Sequence, residues 1–146
     1  MCIMAMSPSL KLFLNLNVVQ SIIAKRFDAK LSSHGLSLND FLILSHVSTA
    51  PEEKLRRTDL AEKMGLTASG ITRMLTPLER MGFVRREANS RDARVSYVKL
   101  APAGKRILND SLVTAETIAE QILAATKSKK VEDISKFLTE LGGPIE

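Results

Sequence analysis

One cysteine, one tyrosine, no tryptophan and no long apolar run: these scarcities do the first sorting of the 146 residues. The lone Cys2 excludes an internal disulfide framework and fits a reducing compartment. Aromatics amount to five Phe and the single Tyr, so the core must be built from Leu, Ile, Val, Met and Ala. That palette favours helices over an all-β fold. No segment reaches the ~18 uninterrupted apolar residues of a membrane span. The start, Met1 to Met6, lacks the basic and apolar pattern of a signal peptide, so a cytoplasmic protein is expected. His34 and His46 are the only histidines, and no His, Cys and carboxylate cluster has metal-ligand spacing; no metal or cofactor is expected. Neither a Gly-rich phosphate loop nor a nucleophile elbow nor a zinc-protease motif is present, which leaves catalysis without support.

What is present is positive charge in one place. The formal net charge is +5, but from Arg56 to Arg106 twelve basic residues face five acidic ones. The flanks together are slightly acidic. A basic middle third between near-neutral flanks is the layout of a nucleic-acid-binding module set between other helices.

Helical and strand periodicities fill in the order. Ser7-Pro8 reads as a cap and first helical residue, opening a helix over Leu10–Leu31 that is apolar on more than one face. Such a helix is either deeply buried or shared with a second subunit. Ser37 caps a second helix with Phe41, Leu42, Leu44 and Val47 inward, and Pro51–Lys54 reads as a polar loop. Thr58 is expected to start a short third helix ending at Gly65, and Thr67 a fourth running toward Met81. Two short strands, Phe83–Glu87 and Val95–Leu100, flank the polar hairpin tip Ala88–Arg94. Pro102 opens a long helix through about Ala125, Lys127–Lys130 interrupts it, and a last helix carries Val131, Ile134, Phe137, Leu138 and Leu141.

Two short helices on either side of Gly65 make a helix-turn-helix. On the second, Ile71, Leu75, Leu78 and Met81 form the core stripe, whereas Ser69, Thr72, Arg73, Thr76 and Arg80 lie opposite. Any soluble helix has a polar outer face; the glycine spacing and the basic hairpin behind this one make it a reading head for DNA. The expected major-groove contacts are Thr67, Ala68, Ser69, Gly70, Thr72, Arg73 and Thr76. Small residues at the helix start permit close approach, and arginine can read guanine. In the hairpin, Ser90, Arg91 and Arg94 are expected at DNA, an arginine entering the minor groove, while Asp92 holds the turn or an arginine in place. Pro77 should bend the helix between Arg73 and Pro77 and confine base contacts to the part before it.

The runs Arg56-Arg57-Thr58-Asp59-Leu60-Ala61, Leu66–Arg73, Leu78–Val84, Arg91-Asp92-Ala93-Arg94 and Leu100–Gly104 together resemble the MarR family of bacterial transcriptional regulators. The resemblance covers most of the chain. It implies a mainly α fold with a small β-hairpin wing, that is, a winged helix-turn-helix. It also implies one domain over 1–146, with dimerisation helices at 8–34 and 102–142 around a DNA-binding region at 37–100. The partners implied are double-stranded DNA at a near-palindromic operator, a second copy of the chain, and a small-molecule effector that releases a repressor. By the same analogy Ile23, Phe27, Phe41 and Leu42 are candidate pocket residues, although their spacing equally suits plain core. Ala101 stands where the family often has threonine, so the long helix lacks a side-chain cap and leans on Pro102. Two alternatives remain: a winged helix used for protein interaction, and a redox-responsive regulator using Cys2. The latter thiol lacks flanking residues that would lower its pKa.

Overall fold

The computed structural model describes residues 4–145. Ser7 Oγ accepts the Leu10 amide at 3.1 Å and Pro8 occupies the first position of α1, Pro8–Leu31. A short 3-10 turn and Gly35, at φ +73°, then reverse the chain. Ser37 and Asp40 form a reciprocal capping box that starts α2, Leu38–Thr49. Strand β1, Lys54–Arg56, leads into α3, Arg57–Lys63, and then α4, Ala68–Arg80. Strands β2, Val84–Ala88, and β3, Ser96–Leu100, are followed by α5, Pro102–Ile122, and α6, Ser128–Glu140.

The strands form an antiparallel sheet in the order β1-β3-β2, with Leu55 and Arg86 flanking Val98. One core gathers Leu31 and Leu36, Ile43, Leu44 and Val47 of α2, Leu60 of α3, Ile71, Leu75 and Leu78 of α4, and Val84, Val98 and Leu100 of the sheet. The 3-10 turn after α1 is tied to α5 by a 2.8 Å hydrogen bond between His34 Nε2 and Thr114 Oγ1. Winged helix-turn-helix architecture, mainly helical with a small sheet, is what the sequence pattern anticipated.

Several expectations are corrected. The third helix starts at Arg57, not Thr58, because Arg56 is still paired in β1 opposite Tyr97. That strand went unseen: three residues are too few to show a period. On α2, Ile43 and His46 are buried while Phe41 and Leu42 are only half-buried. Met81 leaves the core stripe because α4 ends at Arg80, and its side chain turns out to solvent. The long helix stops at Ile122, short of Ala125, and α6 begins inside the lysine run at Ser128. Deep burial of α1 does not hold either: Phe13, Val18 and Ile22 are 50–56% exposed.

His46 is 4% exposed, and its Nε2 has no hydrogen-bond partner among the described residues. Burial, and secondarily the Lys63 charge, push its pKa below the ordinary imidazole value. A depressed histidine pKa means that the unfolded chain binds the proton more readily, so stability should fall as pH drops through the usual imidazole range. Denaturant titrations between about pH 8 and about pH 5 should show this decline, and His46→Leu should flatten it. An undiminished decline in the variant would assign it to other groups.

Candidate nucleic-acid interface

Glycine sets the angle of the reading helix. Gly65 takes φ +64°, a conformation that L side chains rarely adopt, and Leu66 N returns to the Ala61 carbonyl at 2.9 Å to close α3. Two residues on, Thr67 Oγ1 accepts the Gly70 amide at 3.1 Å and lies 3.2 Å from Ser69 Oγ. Thr67, Ala68, Ser69, Thr72 and Arg73 are exposed, whereas Gly70 and Thr76 are half-buried. A Cβ at Gly70 would sit 3.3 Å from Thr67 Oγ1, tight against the cap. The opposite face, Ile71, Leu75 and Leu78, is fully in the core.

The outer hydroxyls are less available than their types suggest. Thr72 Oγ1 donates to the Ala68 carbonyl at 3.0 Å and accepts from Arg57 Nη2 at 3.2 Å. Thr76 Oγ1 likewise donates to the Thr72 carbonyl at 2.9 Å. With its proton committed to a backbone carbonyl, neither hydroxyl is free to donate to a base edge. Arg73 is exposed and makes no ion pair among the described residues. Pro77 does not end α4, which continues to Arg80, although it deprives the Arg73 carbonyl of its helical donor.

Arg57 was not singled out from the sequence. Its side chain is 12% exposed, and Nη1 meets Glu79 Oε1 at 3.1 Å, joining the start of α3 to the far end of α4. The two residues are 22 apart in sequence, so no local pattern marks the pair.

The wing is organised by a second such residue, Asn89. Its Oδ1 accepts the amides of Arg91 at 2.8 Å and Asp92 at 3.2 Å, while Nδ2 donates to the Tyr97 hydroxyl at 3.1 Å. An Asn bonding two residues ahead is a known turn device, so this signal was legible. Asp92 Oδ1 accepts from the Arg94 amide at 3.0 Å and from its Nε at 3.2 Å. Those two bonds, backbone first, hold the Asp92 carboxyl below the usual carboxylate range, with Arg56 adding a smaller contribution. Arg94 is thus steered while remaining 92% exposed, and Ser90 and Arg91 are exposed at the tip.

The pocket candidates divide. Phe27 and Phe41 pack against the common core, and Ile23 and Leu42 are half-buried on α1 and α2. Cys2 lies outside the described residues. Among those residues no group of three His, Cys, Asp or Glu could hold a metal ion, and no helix is long and apolar enough to cross a membrane.

The model of the MarR family matches residues 36–96, the segment from the end of the first helical region to the wing. Over that segment the chain is a match to the MarR family. It is 24% identical over 134 residues to the HTH-type transcriptional regulator MhqR of Bacillus subtilis, covering 92% of this chain and 91% of that one. Among solved structures, the MarR-family regulator Sco3205 of Streptomyces coelicolor, in complex with DNA, superposes with a TM-score of 0.82 at 18% identity. That match covers 96% of this chain and 89% of Sco3205. CouR of Rhodococcus jostii RHA1, bound to p-coumaroyl-CoA, gives 0.83 at 18% identity over 97% and 99% of the two chains. Both likenesses carry the MarR fold.

Proposed function

We propose that this MarR-family chain is a sequence-specific regulator of transcription that binds double-stranded DNA as a homodimer and is released by a small-molecule effector. One observation carries the reading: an exposed, capped α4 N-terminus and a wing with Arg91 and Arg94 exposed are both built on one hydrophobic core. Helix and hairpin so presented suit adjacent grooves of one duplex. Thr67, Ala68, Ser69, Gly70, Thr72, Arg73 and Thr76 form the major-groove surface in this reading, and Ser90, Arg91 and Arg94 the wing contact. The chain acts by binding, without catalysis, in the cytoplasm. Residues 37–100 serve as the DNA-binding region and 8–34 with 102–142 as dimerisation helices of one domain.

Support for the effector comes from CouR, whose structure holds p-coumaroyl-CoA, and support for DNA from Sco3205. In this chain the effector would enter between α1 and α2 near Ile23 and Leu42. Repression is the mode that such release implies.

Selection of duplexes from a random pool by the purified protein tests the reading, followed by affinity measurements over a salt series. Binding should weaken steeply with salt. Arg73→Ala should cost about 1–3 kcal/mol on the selected duplex and relax its sequence preference. An equal loss on every duplex would make Arg73 a phosphate contact. If no duplex is enriched, a protein-interaction role replaces the DNA one.

A further inference from the structure

A cleft of about 330 Å³ opens between the β1–α3 junction and the base of the wing, lined by Arg56, Arg57, Thr58, Arg94, Val95 and Ser96. No carboxylate is among its lining residues. The contrast with a larger cleft of about 600 Å³ on the sheet is informative. There Glu52 and Glu53 are themselves part of the wall beside Arg85, Lys99 and Lys105, and Lys105 Nζ is 2.9 Å from Glu53 Oε1. The carboxylates paired with Arg57 and Arg94, by contrast, lie outside the lining of the smaller cleft.

The three arginines of the smaller cleft are not equivalent. Arg57 is fixed by Glu79 and Thr72, and Arg94 by Asp92. Arg56 is exposed, sits in β1 opposite Tyr97, and has no ion-pair partner among the described residues. A second observation is independent of charge: Ser96 Oγ is buried and lacks a hydrogen-bond partner among the described residues. Buried hydroxyls are ordinarily satisfied. Two anchored guanidinium groups, one unpaired one and an orphan hydroxyl are the donor set for a phosphate oxygen cluster.

Position names the source of that phosphate. Arg57 joins the cleft to α4 through Thr72, and Arg94 joins it to the wing. A DNA strand lying between a major groove entered by α4 and a minor groove entered by the wing must pass between those elements. We propose that the cleft seats one backbone phosphodiester of each half-site, held by Arg56 and Ser96, and so sets the register of helix and wing on the duplex. The inference rests on the DNA-binding reading above.

The experiment uses the full chain and a duplex that the wild-type protein selects from a random pool. Arg56→Gln and Ser96→Ala should each weaken binding by a similar factor on selected and unselected duplexes, with base preference retained. Each lost phosphate contact lowers the salt slope by about 0.9, so for Arg56→Gln the affinity ratio between about 50 and about 200 mM salt should shrink about 3.5-fold per half-site. A neutral methylphosphonate walked along the duplex should locate one phosphate per half-site whose replacement hurts the wild type and adds nothing to Arg56→Gln. Arg56 is exposed, so its variant keeps the fold, which a thermal melt checks.

A variant with wild-type affinity and salt slope overturns the seat while leaving DNA binding intact. A loss that depends on base sequence does the same. If inorganic pyrophosphate protects the wild-type cleft yet Arg56→Gln binds DNA normally, the site belongs to a soluble phosphorylated ligand and the proposal fails. Failure of the wild type to select any duplex removes the DNA reading and the seat together.

Discussion

Gly104→Ala is expected to destabilise the protein by about 3 kcal/mol, at the upper end of overpacking costs. A melting temperature lower by roughly 10 °C would report it. Gly104 lies in the first turn of α5, where the helix crosses the entry to the wing. A Cβ there would fall 2.0 Å from the Phe83 carbonyl oxygen and 2.9 Å from both Phe83 C and Leu100 Cδ1. Two of those obstacles are backbone, so no rotamer change relieves them. The same carbonyl accepts the Ala101 amide at 3.0 Å, which anchors a helix start that has no side-chain cap. To admit the methyl, α5 must retreat from Phe83 and give up that bond.

Helix propensity points the other way, because Ala exceeds Gly by up to about 1 kcal/mol in a helix interior. The sign of the change therefore decides between close packing and propensity, and a melting temperature equal to or above wild type would defeat the packing argument. Function should follow structure. Phe83 precedes β2, so a displaced α5 moves the wing relative to α4, and DNA affinity should drop even below the melting range.

How much of this was legible depends on the range of each interaction. The caps Ser7, Ser37 and Thr67 each sit beside the periodic run they start, and all three accept a helix-start amide in the structure. The core stripe of α4 was legible for the same reason, since helical spacing is local. Arg57 was not, because its partner Glu79 comes close only after the chain has turned at Gly65 and run the length of α4. Nor was the reduced availability of Thr72 and Thr76. Residue type shows a hydroxyl, but its back-bonding to Ala68 and Thr72 carbonyls is a matter of rotamer. Strand β1 is an intermediate case: its three residues acquire strand geometry only by pairing with β3, forty residues later.

The charge pattern was legible as a sum and not as a shape. Twelve basic residues between Arg56 and Arg106 point to an anionic partner, but pairing divides them. Lys54 at the boundary is spent on Glu52 and Glu87, with its ammonium 5.1 Å over the Tyr97 ring, and Lys99 also approaches Glu87. Of the twelve, Arg57, Arg94, Lys99 and Lys105 are in ion pairs. Arg56 on the cleft, Arg73 on α4 and Arg91 at the wing tip are among those without an ion-pair partner among the described residues, and these three carry unbalanced charge where an anion would meet it.

The double substitution Phe13→Glu with Ile22→Glu should convert a dimer into a monomer and lower affinity for a two-half-site duplex by about 10²- to 10⁴-fold. Between Lys11 and Lys25 no residue of α1 is charged, yet Phe13, Leu14, Val18, Val19 and Ile22 are 45–56% exposed. On α6 and its C-cap, Ile134, Phe137, Leu138 and Leu141 are 40–50% exposed as well. Apolar surface on this scale marks an association site. Because both helices belong to every copy, a two-fold partner in the proposed homodimer would cover them symmetrically, burying α1 and α6 at once. The large effect on DNA is one of geometry: joined recognition helices bind the second half-site at an effective concentration that separate monomers lack. Sedimentation equilibrium measures the first outcome, and titration against whole and half operators the second. Half-site affinity should stay near the wild-type value, since neither residue lies near α4 or the wing. A variant that remains dimeric would show that another surface makes the dimer, and one that loses half-site binding equally would show damage to the fold instead.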